Sequence, residues 1–242
     1  MIESSIEKGI KIVAFTDHVE MDLFRKNHFD KTADESFADI LRAKEQYKDR
    51  IEVCVGVEMG EPTYDLAESE ALIASKDYDI VIGSIHNLRK TPDFCELDYN
   101  EDNVYSLLDD YFREMKMLAE WGKFDTFAHL TYPLRYIVGE HHINVDMTRY
   151  QKDIDEIFSL LTEKDKPLEI NTSGLRQPIG RTLPDESYVR RFKELGGKHV
   201  TVGSDSHFVE HMGAGIEQGM QIAKNCGFDS VPVSYTHLRA HE

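Results

Sequence analysis

The sequence predicts an α/β protein whose parallel strands curl into a barrel rather than an open sheet. Six short runs rich in β-branched residues recur along the 242 residues, and longer segments with helical spacing separate them. Strands that alternate with helices form βα units, and such units place their strands parallel in one sheet. A chain of this length matches a single α/β barrel of about 250 residues.

The predicted strands and helices alternate along most of the chain. The strands are predicted at residues 11–15, 51–57, 80–85, 126–130, 168–171 and 198–203. The main helices are predicted at residues 34–47, 102–121, 150–161, 185–195 and 215–226. Since no low-complexity linker interrupts the series, residues 1–232 are predicted to form one domain.

Both ends of the sequence depart from this pattern. From Ile2 onward, isoleucine recurs at i, i+4 and i+8, so we expect an opening helix whose preceding strand is missing. Residues 233–242 (VSYTHLRAHE) do not continue the residue pattern of the rest of the chain and resemble a translated sequencing adaptor. We therefore expect an N-terminally truncated barrel with a non-native tail, and His237 and His241 are excluded from the chemistry.

Composition argues against several classes of function. The chain carries 28 Lys and Arg against 45 Asp and Glu, a formal net charge of −17, which disfavours nucleic acid as a partner. No apolar run is long enough to cross a membrane, and the first residues do not resemble a signal peptide. Cys54, Cys95 and Cys226 form no CxxC pair, so a reducing, cytoplasmic setting is predicted.

Polar residues of one narrow kind lie at the ends of the predicted strands. They are His18, Glu58, His86, His129, Asp205 and His207. The carboxyl ends of the strands in a parallel barrel meet on one face, so we expect these side chains around one cavity. Imidazole and carboxylate without thiolate suit Zn, Mn or Fe. Two such ions can share a hydroxide and clamp a phosphate, which makes phosphoester hydrolysis the predicted reaction class.

The joint placement of the six residues supports this hypothesis more than any one of them. A single histidine after a strand is more often a hydrogen-bonded structural residue. Glu58 and Asp205 are the strongest candidates, because a charge at the end of a buried apolar run needs a partner. The histidines without such a placement are predicted to be surface or loop residues: His28, His141, His142, His199 and His211.

Two arginines lie close to the predicted site residues in sequence. Arg135 follows His129 by six residues, and Arg176 follows the predicted strand 168–171. A planar guanidinium matches two phosphate oxygens. Spacing alone nevertheless favours a solvated surface position for each of them.

Six motifs, in this order, resemble the PHP (polymerase and histidinol phosphatase) family: FTDH, GVE, GSIH, the histidine of FAHL, EINTSGLR and GSDSH. EINTSGLR and HLTYPLRY are most similar to its histidinol-phosphatase branch. The resemblance implies a distorted (β/α)7 TIM-like barrel, here without its first strand, and up to three divalent ions (Zn, Mn or Fe) in an intact parent protein. It implies that the six side chains bind metal and that Arg135 and Arg176 hold the phosphate of L-histidinol phosphate. We expect Asp205 or His207 to orient the attacking hydroxide or to protonate the leaving alkoxide.

One departure from the family pattern leaves alternatives open. Family members begin with a strand that bears an HxH pair, and nothing in this sequence matches it. We therefore expect this chain to bind fewer metal ions and to be less active than the intact parent. The rivals are another PHP phosphoesterase acting on nucleotides or DNA ends, a catalytically impaired metal-binding barrel, and an amidohydrolase on a related barrel.

Overall fold

A computed structural model describes residues 1–229 and residue 231, and in them six parallel strands form one curled sheet. The strands are β1 (Ile12–Glu20), β2 (Glu52–Gly60), β3 (Ile80–Ser84), β4 (Thr126–Phe127), β5 (Leu168–Asn171) and β6 (Val200–Gly203). Each strand pairs in parallel with the next one along the chain, in the order β1-β2-β3-β4-β5-β6. The predicted TIM-like α/β architecture is confirmed, in the form of a half-barrel. The predicted tail, residues 233–242, lies outside the described residues, and the single domain over residues 1–232 stays a prediction.

Seven α-helices accompany the strands within the described residues. They are α1 (Ile2–Glu7), α2 (Phe29–Tyr47), α3 (Leu66–Ala74), α4 (Val104–Trp121), α5 (Gln151–Glu163), α6 (Glu186–Glu194) and α7 (Ile216–Asn225). Helix α3 was not predicted from the sequence. Its start is marked by Asp65, whose side chain accepts the Glu68 N–H at 3.1 Å and so satisfies one of the free donors of the first turn. No helix in this part of the chain is long and apolar enough to span a bilayer.

Helix α4 shows how the helices cover the outside of the sheet. Leu108, Tyr111, Met115 and Leu118 recur at helical spacing and are fully buried in the main hydrophobic cluster. Such a stripe gives the helix one apolar face, which packs on the strands and on α5. Each buried side chain of this size stabilises the fold by roughly 1.5–3 kcal/mol.

Strands β1 and β2 extend further than the sequence predicted, and this extension positions the site. The predicted strand at residues 11–15 continues to Glu20, and the one at residues 51–57 continues to Gly60. In this register the Cα atoms of His18 and Glu58 are direct partners in the ladder. Two candidate ligands therefore come from within adjacent strands, rather than from the loops that follow them.

The half-barrel is open between its first and last strands. Within residues 1–229 and 231, the outer edges of β1 and β6 pair with no further strand. Between them lies a cavity of about 460 Å³, which includes the apolar side chains of Phe15, Ile82, Val202 and Met212 in its lining. The cavity reaches the carboxyl ends of the strands, where His18, Glu58 and His129 also line it.

Candidate active site

Three side chains from the central strands form a tight triangle at the carboxyl end of the sheet. Glu58 lies in β2, His86 follows β3 and His129 follows β4, and all three are buried. Glu58 Oε1 lies 3.1 Å from His86 Nε2 and 3.2 Å from His129 Nε2, and the two imidazole nitrogens are 3.3 Å apart. Ligand atoms of a tetrahedral zinc ion with bonds of about 2.1 Å stand about 3.4 Å apart. The triangle therefore has the dimensions of one face of a metal coordination shell.

The charges in the triangle favour metal binding. Burial opposes ionisation of Glu58, but the surrounding imidazoles outweigh it and hold the pKa of this carboxyl well below its ordinary value. Burial lowers the pKa of His129, which keeps that imidazole neutral. Burial alone would also lower the pKa of His86, but carboxylates on both sides hold it well above its ordinary value. An ionised Glu58 and a neutral His129 are the forms that bind a cation, whereas His86 must release a proton first.

A second group of ligand-type atoms shares His86 with the triangle. It consists of His18, Glu20 and His86, with Glu20 Oε1 at 2.8 Å from His18 Nδ1 and 3.2 Å from His86 Nδ1. Glu20 was not predicted as a site residue. Glu20 follows His18 by two residues. Because β1 extends to Glu20, both side chains lie on the same face of the strand.

Asp205 and His207 form the opposite side of the mouth, directly after β6. His207 Nε2 lies 3.0 Å from Asp205 Oδ1, and Arg135 Nη2 donates to Asp205 Oδ2 at 3.0 Å. Burial opposes the charge on Asp205, but His207 and Arg135 outweigh it and lower the pKa of this carboxyl. Asp205 has a left-handed backbone conformation with φ of +48°, which is rare outside glycine and concentrates at functional sites.

The two predicted phosphate-binding arginines lie beside Asp205 but have different partners. Arg135 is buried and donates to the Ser173 hydroxyl at 2.7 Å as well as to the Asp205 carboxylate. Arg176 donates to the backbone carbonyls of Ser204 and Asp205 at 2.7 and 2.5 Å. Arg176 thus fixes the loop that carries Asp205, and its contact with phosphate stays a prediction.

The structure brings all six predicted ligands to one mouth. The His18 ring centroid is 4.8 Å from that of His86 and 5.5 Å from that of His207. Glu58, His129 and Asp205 complete this mouth through the contacts given above. The other histidines of the described residues stay outside it: His28, His141, His142, His199 and His211.

Two further acidic residues near the mouth were not predicted from the sequence. Glu169, in the middle of β5, accepts the His129 N–H at 2.9 Å, and burial raises its pKa to about 8. Glu61 is fully buried and accepts the His86 N–H at 2.5 Å. Both side chains hold the backbone of a candidate ligand. A glutamate inside a short buried strand such as LEIN was the available signal for Glu169.

The fold and the site together define a class of protein: a parallel α/β half-barrel with imidazole and carboxylate groups that could hold a metal ion at the carboxyl ends of its strands. The sequence profile of the PHP domain matches residues 1–173. This chain belongs to the PHP domain family.

Curated relatives with similar sequences carry one name. The histidinol-phosphatase of Lactococcus lactis is 28% identical over 233 residues, which cover 94% of this chain and 84% of that protein. A Thermotoga maritima protein named "Probable histidinol-phosphatase" is 39% identical over 124 residues, about half of each chain (51% and 50%).

A solved structure supports the fold. The crystal structure of histidinol phosphate phosphatase from Lactococcus lactis, complexed with zinc, L-histidinol and phosphate, superposes with a TM-score of 0.78 at 24% identity. The match covers 95% of this chain and 87% of that one. That protein carries zinc, and this chain has buried histidine and glutamate groups with the spacing to bind a metal ion.

Proposed function

We propose that this chain is a metal-dependent phosphomonoester hydrolase that converts L-histidinol phosphate and water to L-histidinol and phosphate. The observation that carries the proposal is the triangle of Glu58, His86 and His129, with the guanidinium of Arg135 nearby at Asp205. A cation site next to a buried arginine suits a phosphate dianion. The relatives named histidinol-phosphatase support the choice of substrate.

Any bound metal ions would be held by the six residues at the mouth, where the two oxygens of Glu58 face different imidazoles. Its Oε1 faces His86 and His129, whereas its Oε2 lies 3.6 Å from His18 Nε2. Zinc, manganese or iron suits this donor set, and the resemblance to the family implies up to three ions in an intact parent protein. Bound ions supply Lewis-acid stabilisation of phosphoryl oxygens and lower the pKa of water.

Arg135 would bind the substrate phosphate, together with Arg176. Arg135 is presented at the mouth by Asp205 and Ser173, and its Nε is buried without a hydrogen-bond partner among the described residues. A buried donor of this kind gains most from a ligand that accepts its hydrogen bond. Arg176 holds the Asp205 loop, so its removal is expected to act both on phosphate binding and on the position of Asp205.

Asp205 and His207 would handle the proton. His207 is largely exposed and its Nε2 contacts Asp205 Oδ1 at 3.0 Å, so this imidazole can exchange protons with solvent. An imidazole oriented by a carboxylate can protonate a leaving alkoxide or take a proton from the attacking water. Cleavage of the P–O bond then leaves the alcohol and free phosphate.

We also infer a cytoplasmic setting without nucleic acid or membrane partners. Three free cysteines, two of them buried, suit a reducing compartment. The net charge of −17 disfavours binding along a phosphate backbone.

A substrate panel tests the proposed function. The protein is stripped with a chelator, refilled with Zn²⁺, Mn²⁺ or Fe²⁺, and assayed for phosphate release from L-histidinol phosphate, a nucleoside monophosphate and a 3′-phosphorylated oligonucleotide. Chelator-sensitive release from L-histidinol phosphate above the other two supports the proposal. Preferred release from a nucleotide or oligonucleotide would show another phosphoesterase, and no release with any metal would show a metal-binding barrel without this activity.

A further inference from the structure

Glu20 lies between two histidines of the metal site and contacts the same ring nitrogen of each. Its Oε1 is 2.8 Å from Nδ1 of His18 and 3.2 Å from Nδ1 of His86, and its Oε2 is 3.3 Å from the latter. The side chain is only 16% exposed. One carboxylate thus serves two imidazoles that come from different strands.

The opposite nitrogens of the same two rings face Glu58. His18 Nε2 lies 3.6 Å from Glu58 Oε2, and His86 Nε2 lies 3.1 Å from Glu58 Oε1. Each ring therefore has Glu20 at Nδ1 and the metal-site carboxylate at Nε2. A carboxylate that accepts the Nδ1 proton leaves the Nε2 lone pair free for a cation and fixes the plane of the ring.

The neighbouring strand leaves room for the Glu20 carboxylate. Gly60 is the direct ladder partner of Glu20, and a Cβ at this position would overlap Glu20 Oε2. Gly60 does not have a left-handed backbone conformation, so the effect of a larger residue there would be to displace the Glu20 carboxylate and not to strain φ. The following residue, Glu61, accepts the backbone N–H of His86 and so also holds this ligand.

We propose that Glu20 is the positioning carboxylate of this metal site, which fixes the tautomer and orientation of His18 and His86 so that both present Nε2 to the ions. The proposal deepens the proposed function, since it rests on the same metal site, but it does not depend on which phosphate ester is the substrate. A carboxylate of this kind contributes about 10–100-fold to metal affinity.

His129 provides an internal control. Its Nε2 belongs to the triangle with Glu58, but its Nδ1 is buried and has no hydrogen-bond partner among the described residues. Among the described residues, Glu20 makes hydrogen bonds to His18 and His86 and not to this ring. Removal of Glu20 should therefore change the tautomer of His18 and His86 and leave that of His129 unchanged.

The test combines histidine NMR with metal binding. Long-range ¹H–¹⁵N spectra of the zinc-loaded full chain with ¹⁵N-labelled histidine report the tautomer of each ring. Zinc affinity is measured by competition with a chelator, and bound zinc is counted by elemental analysis. The variants are Glu20→Ala, Glu20→Gln and Gly60→Ala, with Asp22→Asn as the matched control, because Asp22 is a nearby exposed acid that contacts Asn87 and no histidine.

We expect Glu20→Ala to weaken zinc binding about 10–100-fold without changing the number of bound ions, and to mix the tautomers of His18 and His86 only. Glu20→Gln keeps an acceptor oxygen and should restore part of the affinity. Gly60→Ala keeps the glutamate but displaces its carboxylate, so it should behave like Glu20→Ala. Asp22→Asn should match the wild type.

Two results would overturn the proposal. Loss of one bound ion in Glu20→Ala would make Glu20 a direct ligand, and unchanged tautomers with unchanged affinity would deny it any role at the site. Circular dichroism of each variant shows whether it is folded, and Gly60→Ala provides a second reading if Glu20→Ala does not fold. A wild type that shows the tautomer pattern but releases no phosphate from L-histidinol phosphate would refute the proposed function alone.

Discussion

The two halves of the candidate active site differ in how firmly the protein holds them. The side chains of Glu58, His86 and His129 are 11%, 5% and 4% exposed, whereas those of His18 and His207 are 35% and 60% exposed. The first group comes from β2, β3 and β4, each of which has a strand on both sides. The second group comes from β1 and β6, the edges of the described sheet. Central strands thus supply a rigid, desolvated ligand set, and the edges supply solvent-accessible groups.

This difference suggests a division of labour. A buried carboxylate is stable only when opposite charge compensates it, so Glu58 needs either protonated imidazoles or a cation. A proton donor such as His207 must exchange with water, so exposure suits it. The predictions below test whether the central half controls metal binding and the edge half controls turnover.

The largest effect is expected for Glu58→Gln. The amide keeps the size of the side chain but removes the charge that faces all three imidazoles, so we expect loss of bound zinc and a fall in kcat of more than about 100-fold. Elemental analysis and phosphate release measure the two effects. Glu52→Gln, an exposed change on the same strand, is the control and should leave both unchanged. Full zinc content in Glu58→Gln would remove Glu58 from the ligand set.

A pair of histidine variants compares the two halves directly. His129→Asn removes a buried corner of the triangle, so zinc affinity should fall about 100-fold. This loss should exceed the loss caused by replacing a residue that only positions a ligand, such as Glu20. His207→Asn removes an exposed ring, so zinc affinity should fall less than in His129→Asn. The kcat of His207→Asn should fall by a larger factor than its zinc content. Affinity and kcat are measured on the same preparations. Equal loss of zinc in both variants would contradict the division of labour.

The sequence was sufficient for the fold and for the approximate place of the site. Alternation of apolar β runs with amphipathic segments predicted all six described strands, since the period of the hydrophobic pattern separates the two element types. The convergence of parallel strands then predicted that residues as distant as His18 and His207 would lie together. The position of each residue relative to the end of its own strand was enough for this prediction.

The acidic residues around the ligands could not be predicted in the same way. The predicted strand at residues 11–15 ends at Phe15, where polar residues begin, so the alternation that links His18 with Glu20 does not reach them. The structure shows that polar residues continue the strand when its end faces a charged site. The missed helix α3 has another cause, since Asp65 and Glu68 have the spacing of a helix start but the apolar residues of LAESEALIA do not form one clear stripe.

The two arginines provide a smaller contrast. Arg135→Lys keeps a positive charge but loses the planar guanidinium whose Nη2 donates to both Asp205 and Ser173, so we expect kcat/KM to fall about 10-fold or somewhat more. Arg176→Lys loses two bonds to backbone carbonyls at the half-buried edge, and its effect should be smaller and appear mainly in kcat through the Asp205 loop. Steady-state kinetics with L-histidinol phosphate and inhibition by inorganic phosphate separate the two cases. A larger rise of the phosphate inhibition constant for Arg176→Lys than for Arg135→Lys would show that Arg176 contributes more to phosphate binding.

The smallest effect is a dependence of metal-induced stabilisation on pH. Burial alone lowers the pKa of His86, but Glu20 and Glu58 outweigh it and hold this pKa well above its ordinary value. Protonated His86 therefore stabilises the metal-free fold at low pH, and this contribution is lost as pH rises through the raised pKa. A bound cation replaces that proton, so zinc should raise the Tm by more at pH of about 9 than at about 6, by a few degrees. Thermal unfolding with zinc and with a chelator measures the difference.

His86→Asn is the matched variant for this comparison, because it removes the imidazole that lies between the two carboxylates. Its metal-free Tm should change less with pH, since the proton that Glu20 and Glu58 share with His86 is gone. The part that remains includes Glu169, whose pKa of about 8 makes the fold less stable as pH rises in both proteins. Glu58 has a lowered pKa, so its own contribution is lost only in acid, below the range of this experiment. His129 acts in the opposite direction, because its lowered pKa makes the fold less stable as pH falls. If the metal-free Tm of the wild type rose steadily from pH of about 6 to about 9, His129 would dominate and the central half would not hold a proton in the absence of a cation.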